Sequence, residues 1–166
     1  MSRYLLRLTL VLMAGLLAAC SSFDAHWKDA AEGKNGVTRW DGRWTSGTRK
    51  ETDGSPHGGR LRCVLEPAVS GKSSKLVAGH FPKEPPRRLN AYFHANWLIF
   101  SGNYEMVLEP VPGKPRAYSG THDLPSLFGG TYRYAATITD DHFTACYTSS
   151  YDRGTFDLHL VPVDKK

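Results

Sequence analysis

Apolar and polar residues alternate with a period of two along most of the chain beyond residue 39. The last third shows it best. Tyr132, Tyr134, Ala136 and Ile138 share one face of a first segment. Phe143, Ala145 and Tyr147 share a face of a second, and Phe156, Leu158 and Leu160 a face of a third. This alternation predicts antiparallel strands with one buried side. Asp140-Asp141 and Asp152-Arg153-Gly154 supply turn chemistry between them. Further back, Leu89, Ala91, Phe93, Ala95 and Trp97 alternate with Asn90, Tyr92, His94 and Asn96, the longest such run.

Tyr104, Met106 and Leu108 continue the pattern after a turn or bulge expected at Ser101-Gly102-Asn103, and Pro110 stops that strand. Residues 60–66 alternate up to Pro67, and a weaker strand spans 116–121. The glycine-rich residues 46–59 read as a long turn. Residues 69–88 read as a surface loop with a polyproline-like piece, and 124–128 as a short apolar connector plugging one end. About eight strands result, mostly joined to their sequence neighbours, with no core helix. An all-β, eight-stranded, up-and-down antiparallel barrel removes the free edges. A partly open barrel or a sandwich is the alternative. In the barrel, Ala91, Ala95, Ala136 and Ala145 would alternate with Phe93, Trp97, Tyr134 and Tyr147, as a tapering interior requires.

The start of the chain has a different pattern. Arg3 and Arg7 precede an apolar run from Leu8 to Ala19, interrupted by Thr9 and too short for a comfortable membrane span. The run ends in Leu17-Ala18-Ala19-Cys20, which resembles the lipobox of bacterial lipoproteins. The resemblance implies that residues 1–19 are removed as a signal peptide and that Cys20 carries the lipid. Several acyl chains make such an anchor long-lived. Ser21, where aspartate would favour retention in the inner membrane, implies an outer-membrane address facing the periplasm. Residues 20–38 then form a tether with a short helical turn over 25–32, from which Trp27 docks on the domain. Residues 39–166 form the barrel.

Removing 19 of the 166 residues leaves 147, enough for one domain with a core. The leader takes two arginines and no acids from 21 basic and 16 acidic residues, so the mature charge is +3. A balance this mild does not predict a nucleic-acid partner. With Cys20 lipidated, Cys63 and Cys146 remain as an even pair suited to a disulfide in an oxidising compartment. Cys63 shares a face with Leu61 and Leu65, however, whereas Cys146 lies opposite Phe143, Ala145 and Tyr147. A bulge near Cys146 would reconcile the two, and both outcomes stand on sequence grounds.

Gly42-Arg43-Trp44 resembles the Gly-x-Trp near the first strand of lipocalins and other calycins. The resemblance implies that Trp44 plugs the barrel base against a basic side chain from a late strand, with Arg153 as its partner. A broader resemblance, to a group of small bacterial envelope proteins without an established activity, rests on four stretches. These are Trp40-x-Gly42-x-Trp44, Gly59-Arg60-Leu61-Arg62-Cys63, Gly129-Gly130-x-Tyr132 and Tyr151-Asp152-x-Gly154-x-Phe156.

Chemistry-bearing constellations are sparse. The seven histidines, His26, His57, His80, His94, His122, His142 and His159, form no His-x-His or His-x3-His pair and read as surface residues rather than metal ligands. His122-Asp123 has no serine in a nucleophile-elbow context to complete a triad, and Asp140-Asp141 belongs to a turn. An enzyme is not expected, nor a cofactor. Two binding readings remain. One is a structural or protein-interaction module of the envelope. The other is a lipocalin-like binder of a small apolar or aromatic ligand. Trp44, Tyr92, Trp97 and Tyr104 would line its barrel, together with Tyr132, Tyr134 and Tyr147.

Overall fold

The structure, a computed structural model, describes residues 23–33, 36–51, 53–68, 88–97, 100–126 and 129–163. Cys20, expected to carry a lipid, and nearly all of the residues 69–88 expected to form a loop lie outside these. A short helix, α1 (23–31), precedes eight strands. They are β1 (Thr38–Lys50), β2 (Pro56–Pro67), β3 (Leu89–Trp97), β4 (Phe100–Pro110), β5 (Ala117–Asp123), β6 (Thr131–Ile138), β7 (His142–Thr148) and β8 (Arg153–Val161). Each pairs antiparallel with its sequence neighbour, and β8 returns to β1, closing the barrel. No helix among the described residues is long and apolar enough to cross a membrane.

Strand period decides what is inside. Trp40 and Trp44 point inward from β1, Leu61, Cys63 and Leu65 from β2, and Ala91, Phe93 and Ala95 from β3. Tyr134, Ala136 and Ile138 on β6 meet Phe143, Ala145 and Tyr147 on β7, and Phe156 and Leu158 on β8. Large and small side chains interlock: Ala136 stands opposite Ala145, and Ala145 opposite Phe156. Phe93 occupies the middle, stacked on Tyr104 at 4.9 Å and touching Phe156 at 5.7 Å and Phe143 at 6.3 Å. Leu65, Leu89, Leu108 and Ile138, all buried, close the end where β2, β4 and β6 finish. Tyr132, Tyr134 and Tyr147 come from the start of β6 and the end of β7, at the opposite end.

Three expectations change. The segment 46–59 is not a long turn: β1 runs to Lys50 and β2 starts at Pro56. Ser101-Gly102-Asn103 lies inside β4, paired with β3, so the reversal comes earlier. The third concerns α1, which spans 23–31 rather than 25–32 and docks on the wall through more than the expected Trp27. Phe23 and Ala30 join Val37 and Val64 in a second apolar cluster on the outside of the barrel, with Trp27 and Tyr92 against it. His26 stacks on Tyr92 at 3.8 Å, and its Nδ1 lies 2.7 Å from Glu66 Oε1. The Arg62 guanidinium sits 5.3 Å over the rings of both Phe23 and Trp27.

Candidate functional site

The tyrosine-bearing end of the barrel gathers the most polar chemistry inside the wall. Ring centroids of Tyr132, Tyr134 and Tyr147 stand 6.0–6.5 Å apart. Tyr134 and Tyr147 also touch Phe156, at 5.7 and 5.4 Å. Tyr104 and Tyr134 are hydrogen-bonded through their side chains. Burial pushes the Tyr104, Tyr134 and Tyr147 phenols well above the ordinary tyrosine value, and the Asp152 charge adds to it at Tyr147. They remain protonated and serve as donors and ring surfaces, not as bases. Burial likewise raises the Cys63 thiol, which removes its nucleophilic form.

Asp152, in the β7–β8 turn, ties this end together. Its Oδ2 accepts a hydrogen bond from Tyr147 OH at 3.0 Å. Its Oδ1 accepts from Ser46 Oγ at 2.8 Å, from the Arg153 amide at 2.8 Å, and from Thr48 Oγ1. The turn itself is held by Ser149, whose Oγ accepts from the amides of Tyr151 and Asp152. Burial alone would raise the Asp152 carboxyl, but the bonds from Thr48, Ser46 and Tyr147 outweigh it and hold the group below the usual carboxylate range. A carboxylate with a lowered folded-state pKa adds stability that is fully present above its unfolded value, about 4. That stability is lost as pH falls through the lower folded value. Asp152→Asn is expected to cost about 1–2 kcal/mol at neutral pH. It should also flatten the acid-side decline in stability, as read by thermal melts at neutral and acid pH.

Several sequence-picked residues take other places. Tyr92 faces out, under α1, because it alternates with the inward Ala91 and Phe93. The side chain of Trp97 lies outside the described residues. Trp44 is buried and donates from Nε1 to the Asn96 carbonyl at 3.0 Å, with the His57 ring edge-on at 5.2 Å. The barrel-closing pair of Trp44 and Arg153 does not form on one face. Trp44 stands opposite Phe156 in the β1–β8 register, so Arg153, an odd number of residues away, is turned outward and exposed. The side-chain link across the seam comes from its neighbour Asp152. Cys63 is fully buried inside, while Cys146 is exposed in regular pairing with Ala135 and Thr155, and both thiols are free. Without a bulge, the wall stands between the two sulfurs.

One grouping escaped the sequence reading. His142, Asp157 and His159 bring their ligand-type atoms within 4.8 Å of one another on the outer face of β7 and β8. The Asp157-x-His159 spacing puts two of them on one face, but His142 joins through the β7–β8 register, which spacing alone does not give. His122-Asp123 ends β5, where His122 lies beside the Tyr104 ring at 5.3 Å and Asp123 accepts from Thr131 Oγ1 at 2.6 Å. Set against family models, curated proteins and solved structures, the chain gives no significant match in any of the three.

Proposed function

We propose that this chain is a lipoprotein anchored through Cys20 in the outer membrane, facing the periplasm, and that its barrel is a structural or protein-interaction module. The observation that carries the second half is the interior. From Leu65 and Ile138 at one end, through Phe93, to Tyr134 and Tyr147 at the other, the barrel holds its own side chains. A barrel packed in this way presents its outer wall and loop ends to a partner rather than a cavity to a ligand. The phenols of Tyr104, Tyr134 and Tyr147 and the Cys63 thiol, all with their pKa raised by burial, are poor bases and nucleophiles, which supports a non-enzymatic role. The address rests on the basic start, the short apolar run and Leu17-Ala18-Ala19-Cys20.

The four tyrosines Tyr104, Tyr132, Tyr134 and Tyr147 favour a second reading, a binder of a small apolar or aromatic ligand at that end. Two measurements on the full chain test both. In cells fed an alkynyl palmitate analogue, the wild type is expected to take the label and Cys20→Ala to lose it. Native mass spectrometry of the detergent-extracted protein is expected to give the mass of residues 20–166 plus the lipid. An additional stoichiometric small molecule would support the binder and count against the filled-module reading, and an unlabelled wild type would overturn the anchor.

A further inference from the structure

We propose that His142, Asp157 and His159 form a three-ligand site for a divalent transition-metal ion of the zinc, nickel or copper class on the outer wall of the barrel. His142 Nε2 lies 2.6 Å from Asp157 Oδ1, and His159 Nε2 lies 3.8 Å from the same oxygen. The two imidazoles are parallel within 2°, with centroids 4.7 Å apart. Ligand atoms bonded at about 2.0–2.2 Å in a tetrahedral site stand roughly 3.3–3.5 Å from one another. To close on an ion, the parallel rings must turn so that their nitrogens converge, and the His142–Asp157 hydrogen bond must open to admit it. Two imidazole nitrogens and one carboxylate suit these metals and not calcium or magnesium, which take oxygen donors.

The platform is rigid. His142 stands opposite His159, and Asp157 precedes His159 by two residues on the same face, in a sheet with no free edge. The Leu160 amide donates to Asp141 O at 2.9 Å, and the His142 amide donates to Thr139 Oγ1 at 3.1 Å, fixing the β7–β8 end from which the ligands project. The side chains are 39%, 66% and 71% exposed in the order His142, Asp157, His159, so an ion reaches them without unfolding and keeps water on its remaining positions. On the neighbouring strand, Asp41 lies opposite His159 and Arg43 opposite Asp157. Asp41 is engaged by Arg60, whose Nε donates to it at 2.9 Å. The Arg43 cation works against a bound cation, and Arg43→Gln is therefore expected to tighten the site.

The test is titration of the full-length protein with zinc chloride at neutral pH, followed by calorimetry and by the imidazole signals in NMR spectra. One ion per chain is expected to bind and to shift the ring signals of His142 and His159. His142→Ala and His159→Ala should each weaken binding by more than the roughly 10- to 100-fold that loss of an outer-shell partner costs, since each removes a direct ligand. His94→Ala, on the far flank of the barrel, should leave it unchanged. Since the ligands are exposed, the variants should melt as the wild type does, and the wild-type ring shifts report on the site without any substitution. Absence of saturable uptake, or uptake that the two histidine variants leave intact, would overturn the proposal.

Discussion

Replacing Phe93 with alanine is expected to lower the unfolding free energy by about 3–5 kcal/mol, the range for emptying a large ring from a packed core. Phe93 is 1% exposed. Its ring stacks on Tyr104 and meets Phe143 and Phe156, so it joins side chains from β3, β4, β7 and β8 in one contact group. A closed wall resists collapse onto the void, because every strand pairs with two neighbours, β4 and β5 over Leu108–Pro110 alone. The gap would thus persist, and its cost would sit at the upper part of the range. Urea unfolding should show a lower midpoint with an unchanged slope. Phe93→Leu, which keeps most of the volume, should lose far less. A midpoint within experimental error of the wild type would show that the interior is not packed around this ring.

Gly42→Ala is expected to be nearly as damaging, by about 3 kcal/mol or more, although it adds a single carbon. A β-carbon there would lie 2.0 Å from the Asp157 carbonyl oxygen and 2.8 Å from the Leu158 α-carbon. Both are backbone atoms of β8, and neither can step aside without parting β1 from β8. Those two strands form the seam that turns a sheet into a barrel. Hydrogen exchange should therefore accelerate first in β8. Gly47 supplies the comparison: its added carbon would stand 3.3 Å from Arg153 O, a contact that small shifts relieve. Gly47→Ala is expected to cost less than about 1 kcal/mol, as surface changes usually do. Equal losses at the two glycines would refute the crowded-seam account.

The closed eight-stranded fold was legible because one side of nearly every strand is apolar, and alternation reports that directly. What escaped was whatever depends on register or on a second layer. Gly58 and Gly59 looked like turn residues, yet they lie within β2. A β-carbon at Gly59 would meet the Asn96 carbonyl at 2.0 Å and Trp44 Nε1 at 2.8 Å, so crowding explains the glycine and a reversal does not. Gly102 likewise belongs to β4, opposite Ala95. Tyr92 has a ring suited to a lining, but its parity with Ala91 and Phe93 turns it out. Its cover, α1, carries Phe23, Trp27 and Ala30 on one helical stripe, but the matching outward Val64 is invisible until β2 is folded. At the candidate site, the tyrosines of β6 and β7 were found by alternation. Asp152 was read as turn chemistry and proved also to be the acceptor that joins that turn to β1. The metal-ligand trio needed the β7–β8 register.

Phe23, 2% exposed, is already seated on the β2–β3 flank, three residue steps from Cys20. Fully extended backbone covers at most about 3.3–3.6 Å per residue, so Cys20 can lie no more than roughly 10 Å from Phe23. With the proposed lipid on the Cys20 sulfur, the β2–β3 flank would stand within that reach of the attachment point, whereas His142 and His159 belong to the β7–β8 flank.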